Sequence, residues 1–130
     1  METDLEFKLA AEIKLKVENK QSDAISIKAL TDFNWDKLFI FNPYTPTSVL
    51  EGALGKEAHK LKEVEMDSRE DINLLVFVND GQIVNFIAFP RLSGDFDKVY
   101  RKEGFTPENS NFVVTIEDRG EPWVTVLEAK

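Results

Sequence analysis

The stretch "INLLVFVNDGQIVNFIAF", residues 72–89, decides the fold of this chain. Two runs rich in Val, Ile and Phe flank Asn79-Asp80-Gly81, and an Asp-Gly pair tolerates the positive φ angles that a tight hairpin turn requires. The pattern therefore predicts an antiparallel hairpin with strands over residues 72–78 and 82–89. Near the C-terminus, residues 111–118 and 122–129 flank Arg119-Gly120-Glu121 and predict a second hairpin of the same kind.

The N-terminal segment, residues 5–18, alternates between apolar and charged side chains. Apolar residues occupy every odd position from Leu5 to Val17, and charged residues fill most even positions. On a helix these apolar side chains would lie on two opposite sides, whereas on a strand they form one face. The spacing predicts a strand over 5–18, which pairs through a polar turn with a second strand over residues 24–30.

The most aromatic stretch is "FNWDKLFIFNPYTP", residues 33–46. It predicts a strand over 36–41 in which Leu38 and Ile40 face one side while Phe39 and Phe41 face the other. A strand that is apolar on both sides is typical of the centre of a covered sheet.

A short helix follows this strand. Thr45 is expected as its N-cap, Pro46 as its first residue and Gly55 as its end, with a weaker continuation through "KEAHKLKEV". Residues 91–111 contain Gly94, Gly104 and Pro107 and are expected to be irregular.

These elements predict an α+β fold. The 130 residues form one domain, 1–130, long enough to bury a core without metal or disulfide support. We expect a mainly antiparallel sheet of about seven strands, with one short helix packed on it. Exposed edge strands of such a sheet would also permit a homodimer by strand pairing.

The charge balance limits the classes of partner. The chain carries 24 acidic and 16 basic side chains, a formal net charge of −8. Nucleic acid and anionic membrane surfaces would be repelled, whereas a basic protein partner would be attracted. Residues 62–71 contribute five carboxylates, which suit either an acidic face or a solvated loop.

The sequence contains no targeting or membrane-spanning pattern. No run approaches the ~18 apolar residues of a membrane helix, and the N-terminus does not resemble a signal peptide. The localisation is thus open: cytoplasmic for the sequence as given, or extracytoplasmic and lipid-anchored if an export signal has been removed.

Candidates for catalysis and metal binding are few. There is no cysteine, and the one histidine, His59, lies among charged residues. Asp32, Asn34 and Asp36 begin like a calcium loop, but Lys37 stands where that loop needs glycine. Asp95 and Asp97 could bind a cation weakly or serve a carboxylate-dependent hydrolase. Because phosphate-cradling glycine patterns are also missing, we expect no catalytic residue, no metal and no cofactor.

Binding residues are easier to nominate than catalytic ones. Trp35 and Tyr44 flank the aromatic strand, either closing the core or anchoring a binding edge, with Asp36 beside Trp35. The stretch "FPRLSGDFDKVYRKEGF" mixes basic and aromatic residues and suits the rim of a protein interface. From this stretch we take Arg91 and Tyr100 as candidates. The candidate binding residues are therefore Trp35, Asp36, Tyr44, Arg91 and Tyr100.

The run from "IKLKVENKQSDAISIKAL" to "FNPYTP" resembles a pattern in small uncharacterised bacterial proteins, many of them predicted lipoproteins. In these, a hairpin precedes a Trp-Asp strand and a Pro-Tyr-Thr helix start. The resemblance implies a bacterial source and an extracytoplasmic relative, but it brings no activity and no site residue. This chain differs from the lipoprotein form because it has no cysteine to lipidate.

Three functions follow, in order of preference. The first is a non-catalytic acidic binding protein that acts through protein–protein contact, for example a toxin-neutralising immunity protein. The second is a lipoprotein-type domain of the bacterial envelope that binds a ligand or an envelope component. The third is the hydrolase that would use Asp95 and Asp97.

Overall fold

The computed structural model describes residues 3–129 and has an α+β fold with two three-stranded antiparallel sheets. Its helices are α1 (Thr3–Glu18), α2 (Ile27–Leu30) and α3 (Thr47–Leu54), and its strands are β1 (Ile25–Ser26), β2 (Lys37–Phe41), β3 (Ile72–Asn79), β4 (Gln82–Pro90), β5 (Asn111–Asp118) and β6 (Pro122–Glu128). Three 3₁₀ segments span Gly55–Val64, Met66–Ser68 and Arg91–Ser93. One sheet has the order β1-β5-β6 and the other β2-β3-β4. The predicted antiparallel α+β class is confirmed, but the described residues form six strands and several helices.

The two predicted hairpins are confirmed as β3–β4 and β5–β6. In the first, Asp80 and Gly81 have φ angles of 52° and 80°, as a two-residue turn with both residues left-handed requires. Residues 72–78 of β3 are buried throughout, because this strand lies at the centre of its sheet with layers on both faces.

The prediction of a strand over 5–18 was wrong, since these residues lie in helix α1. Ala, Leu, Glu and Lys favour helices, and acidic side chains in the first turn with Lys16 in the last suit the helix dipole. One apolar stripe, Leu5, Leu9 and Ile13, is buried. The opposite stripe stays outside, with Phe7 76% exposed.

The predicted partner strand over 24–30 was also wrong beyond its first residues. Only Ile25 and Ser26 extend, and they pair with β5. The Ser26 side chain then accepts a hydrogen bond from the Ala29 amide at 3.2 Å and caps the single turn of α2.

The strand and helix predicted from the aromatic stretch are both present, with two adjustments. β2 is covered on both faces but lies at an edge of its sheet, next to the central strand β3. Helix α3 begins one residue later than predicted, because Pro46 is the N-cap and Thr45 Oγ1 instead donates to the Asn42 carbonyl. Gly55 ends the helix with a φ of 61°.

Two hydrophobic clusters lie on opposite faces of the β2-β3-β4 sheet. The larger joins this sheet to α1 and to the other sheet, and it contains Leu38 and Ile40. The smaller lies under α3 and the Gly55–Val64 segment and contains Phe41, with Phe39 packed against it. The alternation predicted within β2 is therefore confirmed, and it directs the two phenylalanines towards α3.

Candidate functional site: a groove at the outer edge of β2

The outer side of β2 is only partly paired. Leu38 forms a bridge with Phe105, in which the Leu38 amide donates to the Phe105 carbonyl at 2.8 Å and the reverse bond measures 2.7 Å. Beyond Leu38 no strand of the described chain pairs with this side of β2. The chain opposite turns away instead, since the Gly104 amide bonds to the Arg101 carbonyl at 2.9 Å.

A groove of about 430 Å³ opens where this pairing ends. Residues 39–41 of β2 form one side, α3 forms the second through Val49, Gly52 and Ala53, and residues 100–102 form the rim. We refer to it as the β2-edge groove. Its volume falls within the usual ~300–1,000 Å³ of ligand-binding pockets.

The groove is open because its α3 wall carries small side chains. A Cβ atom built on Gly52 would meet no atom within 4 Å. Opposite this wall the Phe39 and Phe41 rings are stacked, with centroids 6.1 Å apart. Val49 and Tyr100 are 38% and 59% exposed, so an apolar surface remains accessible to a partner.

The charged side chains that line the groove are both cationic. Arg101 lies over the Phe105 ring at 5.0 Å and forms ion pairs with Glu128 and, at 3.8 Å, with Glu103. Its Nε is the one buried side-chain nitrogen or oxygen without a hydrogen-bond partner in the described part of the chain. Lys102 is exposed and pairs with no carboxylate of residues 3–129.

The carboxylates that sequence reasoning nominated for chemistry lie elsewhere. Asp95 is fully buried and accepts hydrogen bonds from Arg91 Nε, Trp123 Nε1 and Asn73 Nδ2, each at 2.9 Å. Arg119 approaches the same carboxylate at 3.4 Å. We call these residues the Asp95 junction.

The Asp95 junction also joins the two sheets. The Asp95 amide donates to the Val124 carbonyl of β6, and the Val126 amide donates back to the Asp95 carbonyl at 2.8 Å. Its side chain meanwhile binds Asn73 of β3. Since its oxygens are used by protein donors, Asp95 is held as a structural carboxylate.

The rest of the charge network lies around Arg119. Its guanidinium binds Asp97 at 3.1 Å, which raises the pKa of Arg119. The hydrogen bond from Lys98, followed by that from Arg119, lowers the pKa of Glu117. Across residues 3–129, no three His, Asp or Glu side chains come together in a way that could hold a metal ion.

The five nominated binding residues are dispersed. Trp35 is 7% exposed, and its Nε1 donates to Thr31 Oγ1 at 2.9 Å, so it belongs to the core. Asp36 is exposed and accepts the Asp80 amide at 3.0 Å. Their roles in binding stay predictions.

The other three nominated residues lie in three different surroundings. Tyr44 is 57% exposed with a φ of 64°. Arg91 belongs to the Asp95 junction, and Tyr100 lies on the rim of the β2-edge groove. Sequence reasoning missed Gly52, whose only signal was a glycine within a helical pattern.

A larger hollow of about 590 Å³ lies between α3 and the 3₁₀ segments Gly55–Val64 and Met66–Ser68. Its floor contains Leu50, Leu61 and Met66, which are already at least 95% buried. Its rim mixes both signs of charge, including Lys62 and Glu65, and His59 lies on it. We favour the β2-edge groove because it combines exposed aromatic surface, an unpaired strand edge and charge of one sign.

The chain matches no protein-family model, and the comparisons with curated proteins and with solved structures found no match. The resemblance to small bacterial lipoproteins therefore stays a prediction. Within residues 3–129 no helix is long and apolar enough to cross a membrane.

Proposed function

We propose that this chain is a non-catalytic binding protein that acts through contact with another protein, and that the β2-edge groove is the contact surface. The observation that carries the proposal is an accessible aromatic groove placed where the pairing of an edge strand ends. Unpaired strand edges are natural sites for association with another chain.

The composition of the groove supports a protein partner. Tyr and Arg are among the residues that contribute most to interface energy, and here Tyr100 and Arg101 lie side by side on the rim. Phe39 and Val49 supply the apolar surface below them. Such a surface suits an anchor side chain that is fully desolvated on binding.

The state of the buried carboxylate supports a non-catalytic role. A general base needs an accessible lone pair near its substrate. Asp95 is 0% exposed and is hydrogen-bonded by Arg91, Asn73 and Trp123. Asp97 is bound by Arg119 through two hydrogen bonds of 3.1 and 3.2 Å. The hydrolase alternative loses its best candidates if these carboxylates serve stability.

The net negative charge of the chain would also affect how fast a basic partner associates with it. All five carboxylates of residues 62–71 are exposed, and they contribute to the formal net charge of −8 of the whole chain. An immunity protein that neutralises a basic toxin would use this charge to accelerate association. The association rate with such a partner should fall as salt is raised, and a rate independent of salt would contradict this form of the proposal.

The test uses capture of partners from a lysate of the organism that encodes the chain, with two matched variants. Gly52→Phe fills the groove, whereas Gly52→Ala adds one methyl group in open space. Thermal melting establishes that both are folded, and Tyr100→Ala replaces Gly52→Phe if the latter does not fold. A partner retained by wild type and Gly52→Ala but lost by Gly52→Phe supports the proposal. Equal capture by all three contradicts it.

A further inference from the structure

We infer that the partner segment that enters the β2-edge groove carries an aromatic anchor side chain with an acidic residue beside it. This inference rests on the proposed function and adds the chemistry of the partner. The net charge of the chain alone predicts a basic partner, but at the groove itself we infer that the partner is acidic.

The aromatic part follows from the shape and lining of the groove. The half-buried Phe39 ring, stacked on the buried Phe41 ring, presents an apolar side, and Gly52 leaves the facing wall open. Aromatic side chains bury ~150–250 Å² each and gain from offset or edge-on contact with other rings. A Phe side chain of the partner would meet rings on one side and the Val49 side chain on the other.

The acidic part follows from the charges at the rim. Of the residues that line the groove, Arg101 and Lys102 are the charged ones, and both are cations. Glu128 and Glu103 lie beside Arg101, so its charge is largely compensated. Lys102 is exposed and has no such partner within the described chain. A carboxylate that follows the anchor would therefore meet the exposed ammonium group of Lys102, beside the guanidinium of Arg101.

A second copy of this chain fits the groove less well than an acidic segment. Pairing of two β2 edges would bring two copies of Lys102 and Arg101 into the same contact, and each copy carries a net charge of −8. Like charges in one interface oppose association. Edge-to-edge pairing of two copies is thereby disfavoured, and we assign the groove to a segment of another protein.

The probes are three blocked tripeptides: Glu-Phe-Glu, Lys-Phe-Lys and Glu-Ala-Glu. Each is titrated into the ¹⁵N-labelled full chain, and amide shifts of residues 39–41 and 100–102 report binding in the groove. We expect Glu-Phe-Glu to bind the wild type about tenfold more tightly than Glu-Ala-Glu, since the anchor is lost in the latter. We expect it to bind about threefold more tightly than Lys-Phe-Lys, the usual effect of one exposed charge pair.

Two variants make the result specific to the groove. Lys102→Glu should remove or reverse the preference for Glu-Phe-Glu over Lys-Phe-Lys, and Gly52→Phe should abolish the groove shifts. Equal or tighter binding of Lys-Phe-Lys to the wild type, or no groove shifts with any probe, overturns the inference. Self-association of the wild type that Gly52→Phe abolishes, measured by sedimentation, also overturns it and assigns the groove to a second copy.

The two proposals fail in different ways. If capture from the lysate depends on the groove but the tripeptides show no charge preference, only the chemistry inferred for the partner is wrong. If Gly52→Phe captures the same proteins as the wild type, the groove is not the contact surface and the proposed function is wrong.

Discussion

The Asp95 junction and the β2-edge groove are both rich in arginine and aromatic rings, but they differ in how their polar groups are used. In the junction, Arg91 and Arg119 lie 5.9 and 5.6 Å from the centre of the Trp123 ring, and both bind Asp95. In the groove, Arg101 is paired with Glu128 and Glu103, but the neighbouring Lys102 is exposed and has no partner among residues 3–129. Charged groups that satisfy one another contribute to stability, whereas charged groups left open at a groove are available to a ligand.

Changes in the junction should therefore alter stability, and changes in the groove should alter binding. The variants below test this separation, in order of decreasing expected effect.

Asp95→Ala should lower the free energy of unfolding by about 3–5 kcal/mol. The change leaves Arg91 without its main buried partner and removes the acceptor of Asn73 and Trp123. Urea denaturation measures the loss. Asp97→Ala is the matched control, with an expected loss of about 1 kcal/mol because its side chain is partly exposed. A loss below about 1 kcal/mol for Asp95→Ala would show that the junction does not hold the sheets together.

Tyr100→Ala should weaken binding of the captured partner at least about tenfold, or about 1.4 kcal/mol, with little change in unfolding. Its side chain is 59% exposed, so few contacts within the chain are lost. Titration calorimetry measures the affinity. Tyr44→Ala is the control, since Tyr44 is 57% exposed but does not line the groove. A larger loss for Tyr44→Ala would move the binding surface to that side of the molecule.

Gly52→Ala should raise the free energy of unfolding by about 0.5–1 kcal/mol. Gly52 lies within α3, where alanine restricts the unfolded chain and favours the helix. The added Cβ atom meets nothing within 4 Å. Thermal and urea unfolding measure the gain, and destabilisation would mean that the space beside Gly52 is not open.

The pH dependence contributed by Glu117 should be the smallest effect, because its side chain is partly exposed and its ion pairs are screened by solvent. Lys98, and then Arg119, lower the pKa of Glu117 from its ordinary value of 4.5. A carboxyl with a lowered pKa in the folded state stabilises the fold above its unfolded pKa, and this stabilisation is lost as pH falls through the folded pKa. Melting temperatures measured on acidification below about pH 5 should therefore fall less for Glu117→Gln than for wild type. Parallel curves would contradict the assigned ion pairs.

Local sequence patterns predicted much of the fold. The Asp80-Gly81 turn, the two-sided apolar strand β2 and the end of α3 at Gly55 each follow from a few neighbouring residues. The same reasoning failed for α1, since its alternation is compatible with a strand and with a helix that leaves one apolar stripe exposed. Helix propensity and the burial of Leu5, Leu9 and Ile13 decided the outcome.

The sequence indicated separate parts of the candidate site but not that they lie together. The aromatic stretch around Phe39 and the basic-aromatic stretch around Tyr100 were both singled out, but nothing in the sequence places them together. That depends on contacts between residues far apart along the chain: the bridge between Leu38 and Phe105, and the hydrogen bonds from Asn42 Nδ2 to the carbonyls of Phe96 and Val99. The burial of Trp35 likewise depends on its packing against Phe77, with ring centroids 5.2 Å apart.

The most direct test of the central claim is the affinity of the captured partner for Gly52→Phe relative to Gly52→Ala. Both variants change the same position, and only the larger side chain fills the groove. We expect the folded Gly52→Phe variant to lose affinity about a hundredfold or more, which is the effect of removing a buried anchor. Equal affinities for the two folded variants would contradict the assignment of the β2-edge groove as the binding surface.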